Sequence, residues 1–129
     1  MRKQKVFLTV LLGGMVMTVG GCVVLLVGAG AAGTVAYARG DLAAVESKGL
    51  DAVYAAAEKA VSELELNVVS KRKDKLMGEI VARDAEYKKI TIKLKATAEQ
   101  TTKISIRIGV FGDEIRSRLI YQKIQDNLK

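Results

Sequence analysis

The one side chain that its type and its neighbours both mark for covalent chemistry is the thiol of Cys22, the only cysteine in 129 residues. A lone cysteine forms no internal disulfide and lacks the companion ligands of a zinc cluster. Its remaining chemistry is nucleophilic, through the thiolate. The rest of the chain is poor in catalytic groups. There is no His, which removes Ser-His and Cys-His pairs and imidazole bases. Gly28-Ala29-Gly30-Ala31-Ala32-Gly33 satisfies GxGxxG. It follows no soluble strand and sits in an apolar run, so it is not read as a nucleotide loop. Glu79, Asp84 and Glu86 are close in sequence. Alternation puts Glu79 on an exposed strand face and the other two in a turn, which suits surface ion pairs better than an acid–base couple. The expectation is a non-enzymatic protein with no metal and no cofactor.

The surroundings of Cys22 specify what its thiol is for. Arg2, Lys3 and Lys5 are the only charges in residues 1–38. An uncharged, mostly apolar stretch from Val6 to Val19 follows them, the layout of a signal peptide. It leads into Val19-Gly20-Gly21-Cys22, which resembles the lipobox of bacterial lipoproteins: an aliphatic residue, two small residues, then the cysteine that receives a thioether-linked diacylglycerol. Gly20 departs mildly from the Ala or Ser usual there. On this reading residues 1–21 are a signal peptide and residues 22–38 a lipid-attached, glycine-rich apolar tether. Residues 39–129 are then an exported domain facing the periplasm or exterior, with the outer membrane favoured in a cell that has two. The alternative is a bitopic inner-membrane protein. An unbroken helix from Val6 to Ala38 would have 33 residues and run about 50 Å, against a hydrocarbon core of about 30 Å. Two segments divided at Cys22 fit better. Small residues spaced by three or four in Gly28–Gly33 suit either close helix packing in a membrane or a flexible spacer.

Charge is unevenly spread in the remainder. Residues 67–110 hold eleven Lys or Arg against five acids, and residues 40–66 hold two against six. Lys89, Lys93, Lys95, Lys103 and Arg107 occupy alternate positions on strands, hence one outward face. This face either meets an anionic partner, such as lipid headgroups or an acidic envelope polymer, or is a solvated surface whose lysines discourage edge aggregation. Nucleic acid is not expected, because the basic strands lack interleaved aromatic residues for base stacking.

The elements that would position this face follow from hydrophobic period. Tyr37–Glu46 reads as a short strand and its approach. Ser47 is placed to cap a helix over 48–66, with Leu50, Val53, Tyr54, Ala57, Val61 and Leu64 on one side. Val68 opens a strand that runs into a polar turn at 71–75. Residues 77–83, 89–95 and 103–108 alternate as strands. Asp113 caps a last helix with a stripe of Ile115, Leu119, Ile120, Ile124 and Leu128. The predicted fold is a two-layer α+β sandwich: an antiparallel sheet of four to five strands with two helices on one face, after an N-terminal apolar helical segment.

Several stretches carry a family resemblance. Gly33-Thr34-Val35-Ala36-Tyr37, Arg39-Gly40-Asp41-Leu42, Leu50-Asp51-Ala52-Val53-Tyr54-Ala55-Ala56, Gly78-Glu79-Ile80-Val81-Ala82-Arg83 and Ile106-Arg107-Ile108-Gly109-Val110-Phe111-Gly112-Asp113-Glu114 are similar to a family of small bacterial lipoproteins, domain-of-unknown-function family 3568. The resemblance spans most of residues 20–128. It implies a lipidated, exported protein and brings no catalytic residues with it.

Overall fold

A computed structural model describes residues 35–129. The elements run β1 (Val35–Ala38), β2 (Asp41–Glu46), α1 (Leu50–Glu63), β3 (Asn67–Lys73), β4 (Met77–Arg83), β5 (Lys89–Ala98), β6 (Thr101–Ile108) and α2 (Glu114–Asp126). All six strands form one antiparallel sheet in the order β1-β2-β6-β5-β4-β3. Six strands replace the expected four to five. The expected apolar helical segment, Cys22 and the Val19-Gly20-Gly21 motif lie outside the described residues.

The added strand comes from residues 35–46, a hairpin rather than the end of a tether and one strand. Arg39 and Gly40, with φ of 55° and 89°, make its two-residue turn. Such turns need positive φ at both central positions. An arginine rarely supplies it, so Arg-Gly does not announce a hairpin as Asn-Gly does.

The inner face of the sheet is apolar because alternation delivers it so. Ile80, Ile90, Ile92, Leu94, Ile104, Ile106 and Ile108 are all buried there with Leu42. Val53, Tyr54, Ala57, Ala60 and Val61 of α1 and Ile120, Tyr121 and Ile124 of α2 complete the core. The buried alanines of α1, Ala56, Ala57 and Ala60, bring its backbone close to the sheet. Gly78 answers on β4, since a Cβ there would stand 2.8 Å from the Tyr54 ring.

Three local expectations are corrected. The α1 N-cap is Gly49, with no side-chain cap bond, so Ser47 does not cap it. Instead the buried Thr102 donates its hydroxyl to the Lys48 carbonyl at 2.8 Å, pinning the start of the helix to β6. Lys71, Arg72 and Lys73 belong to edge strand β3, not a turn. Lys71 and Lys73 reach Glu58 and Asp51 of α1 at 2.9 and 2.5 Å, and these hydrogen-bonded pairs raise both ammonium pKa values. Asp113 does cap α2, accepting from the Arg116 N–H at 3.0 Å. The buried face of α2, however, is Ser117, Ile120, Tyr121 and Ile124. Ile115 and Leu119 point to solvent.

Two polar clamps account for that rotation of α2. The Tyr121 hydroxyl donates to the Glu46 carboxylate. Gln125 donates to the same carboxylate at 3.1 Å and to the Tyr121 hydroxyl at 3.0 Å. Burial and the Glu46 charge push the Tyr121 phenol well above its ordinary pKa, so it stays a donor. At the other end of the sheet, Arg116 reaches Asp84 at 2.5 Å. A hydrophobic stripe alone does not encode these contacts.

Candidate anionic-surface contact

The helices cover one face of the sheet and leave the other bare. Cross-strand register arranges the bare face in rows. One row runs Ala38, Asp41, Arg107, Thr91, Val81, Ser70; the next runs Ala36, Ala43, Ser105, Lys93, Glu79, Arg72. A third runs Val45, Lys103, Lys95, Met77. Small side chains dominate the first two rows, so the lysines stand proud of a low surface.

The five basic residues expected to share this face do share it, but with different duties. Lys95 is directly opposite Lys103. Lys93 sits between Ser105 and Glu79, and Glu79 is already held by Arg72 at 2.7 Å. Lys89 is opposite Arg83 at the far end of β5. Among the described residues none of these four lysines forms an ion pair. Lys89, Lys93 and Lys95 therefore make a cationic line about 20 Å long on alternate residues of one strand, widened by Lys103.

Arg107 is employed elsewhere. Its guanidinium lies 3.2 Å from Asp41, donates to the Arg39 carbonyl at 3.0 Å and also reaches the Val110 carbonyl. It clasps the β1–β2 turn to the loop after β6. Alternation identified its face, but its partners are backbone carbonyls remote in sequence, and no local pattern reveals those.

The opposed pair Lys95 and Lys103 has a testable energetic signature, because like charges directly across a sheet destabilise it. Lys103→Glu is expected to raise unfolding free energy by about 0.2–1 kcal/mol, measured by urea denaturation. An unchanged midpoint would mean that the two ammonium groups already avoid one another.

Beyond these cations lies the loop between β6 and α2. Phe111 is 93% exposed, while Asp113 two residues later caps α2. A groove of about 490 Å³ runs beside Phe111, lined by Arg83, Lys88, Lys89, Val110 and Gly112 among others. The glycines at 109 and 112 flanking an apolar pair were the available signal. Among the described residues no cluster of His, Cys, Asp and Glu could hold a metal ion, and no helix is long and apolar enough to cross a membrane.

The family described as "Protein of unknown function (DUF3568)" matches residues 5–127 of this chain. The chain belongs to that family. The DUF3568 match takes in the apolar N-terminal segment, Cys22 and nearly all of the sheet-and-helix unit together. The DUF3568 description assigns no activity, so function is argued from the residues. No match to the chain is found among curated proteins.

Proposed function

We propose that this protein is a lipid-anchored lipoprotein of the cell envelope. Signal peptidase removes residues 1–21, Cys22 carries the lipid, and the domain is a non-enzymatic binding module turned toward an anionic surface. The observation that carries this reading is the line of unpaired lysines on the bare sheet face, together with where the chain joins that sheet. Val35 pairs with Ala44, one row from Val45, Lys103 and Lys95. Only twelve residues separate Val35 from Cys22, a reach of roughly 40 Å when fully extended. A domain held by that cysteine keeps Lys95 and Lys103 within reach of the headgroups beside its own anchor. Anionic headgroups attract such lysines by about 1 kcal/mol each near the surface.

The test is the intact mass of the protein purified from its native membrane. The expected species begins at Cys22, lacks residues 1–21 and carries the added mass of a diacylglycerol. A chain that retains Met1 with an unmodified Cys22 overturns the reading and supports a bitopic protein held by its apolar N-terminal segment.

A further inference from the structure

Four large apolar side chains stand in solvent on the loops and turns at one end of the sheet and on the first turn of α2. Tyr87 is 80% exposed, Val110 78%, Phe111 93% and Ile115 83%. Scattered exposed apolar residues are ordinary, but a cluster on one end marks a contact surface. The segments that present them are held firmly. Gly109 N–H donates to the Lys89 carbonyl at 2.8 Å, and Arg107 grips the Val110 carbonyl. Gly112 packs on Gly40 and the Tyr37 hydroxyl. Arg83 donates to the Tyr87 carbonyl at 2.9 Å, and the Asp84–Arg116 pair joins that turn to α2. The ordering cost of displaying Phe111 is met before any partner arrives.

Charge says what the partner is. Arg83, Lys88 and Lys89 line the groove beside Val110 and Phe111. Lys89 is also the first residue of the cationic line that continues through Lys93 to Lys95 and Lys103. Asp113 also lines the groove but is engaged in capping α2, and Lys88 pairs with Glu86 at 3.8 Å. The apolar projections beside Arg83 and Lys89 match a bilayer interface, where side chains enter the acyl boundary while ammonium and guanidinium groups meet phosphates. The apolar end lies at one end of the strands, and the chain joins β1 toward the other.

We infer that the bare sheet face lies on an anionic lipid bilayer, with Val110 and Phe111 inserted at one end and the lysines of β5 and β6 on headgroups between that insertion and the lipid anchor. This rests on the proposed anchoring at Cys22. The second attachment is intramolecular once the first is made, and it restricts how the domain turns on its tether.

The chain has no Trp, so Phe111→Trp, at a site already 93% exposed, gives a single indole reporter. The variant purified from its native membrane is reconstituted into vesicles of phosphatidylcholine alone or mixed with phosphatidylglycerol, with and without brominated acyl chains. The expected result is a blue-shifted emission, quenched by bromine in the anionic vesicles. Both effects weaken in neutral vesicles, at high salt, and with Lys93→Ala, Lys95→Ala and Lys103→Ala combined. Water-like, unquenched emission from protein that floats with the vesicles overturns the insertion and leaves the anchor standing. A blue shift without bromine quenching means burial against protein and also overturns it. Protein that does not float overturns anchor and insertion together.

Discussion

Gly112→Ala is expected to cost about 3 kcal/mol or more of unfolding free energy, a large share of the roughly 5–15 kcal/mol typical of a small domain. Gly112 has φ of 82°, where any L side chain is strained. A Cβ there would overlap the Cα and carbonyl oxygen of Gly40 and the Tyr37 hydroxyl. Two of those atoms are backbone in a tight hairpin turn, and the turn has no room to retreat. A Cβ on Gly40 would itself lie 2.8 Å from the Phe111 carbonyl oxygen. Gly109 is the control. Its φ is 67°, yet a Cβ there meets nothing within 4 Å. Gly109→Ala should show only the conformational penalty, about 1–2 kcal/mol. Urea midpoints at unchanged slope measure both. Equal losses for the two variants would mean that the crossing of the turn and the loop does not constrain the fold.

The second large effect belongs to Asp84, whose side chain is only 3% exposed. One of its oxygens accepts from the N–H groups of Glu86 and Lys88 at 2.8 and 2.9 Å, and the other from Arg116 at 2.5 Å. Burial of the carboxylate works to raise its pKa. The Lys88 N–H, the Arg116 guanidinium and the Glu86 N–H outweigh burial, and the pKa falls below the ordinary value. A depressed pKa contributes stability that is fully present above the unfolded value, about 3.9, and lost as pH drops through the folded value. Asp84→Asn is therefore expected to lower the melting temperature by roughly 5–10 °C at neutral pH. The gap to the unaltered protein should close as pH falls below about 4. A gap that persists into strong acid would assign the loss to amide geometry rather than to the carboxylate's charge. The same substitution loosens the tie between the Tyr87 turn and α2.

How much was legible from residues alone depends on whether the signal is local. Strand β4 has the bounds that alternation assigned it, and β5 and β6 show the expected cores and run longer. In β4 the pattern is looser, with Ile80, Val81 and Ala82 consecutive. Over 89–95 in β5 and 103–108 in β6 apolar and polar residues exchange at every step, and a one-residue slip would bury lysines. The cationic line was legible for the same reason. The β1–β2 hairpin was not, because β1 has four residues and its turn is Arg-Gly. Of the expected α2 stripe, Ile120, Ile124 and Leu128 do pack on the core, but Ile115 and Leu119 do not, because they fit the helical period as well as Ser117 and Tyr121 do. Tertiary clamps to Glu46 and Asp84 decided between the two faces. Alternation placed Arg107 on its face, but its contacts to Asp41, the Arg39 carbonyl and the Val110 carbonyl were not legible, since they come from the 39–41 turn region and the loop after β6.

Strand β2 finds its inner neighbour in β6, with Asp41 opposite Arg107 and Glu46 opposite Thr102, so the first hairpin cannot take its place until β6 (Thr101–Ile108) has been synthesised. Pairings so distant in sequence close slowly. On the proposed export route, that delay would favour a chain still loose when it is threaded across the bilayer.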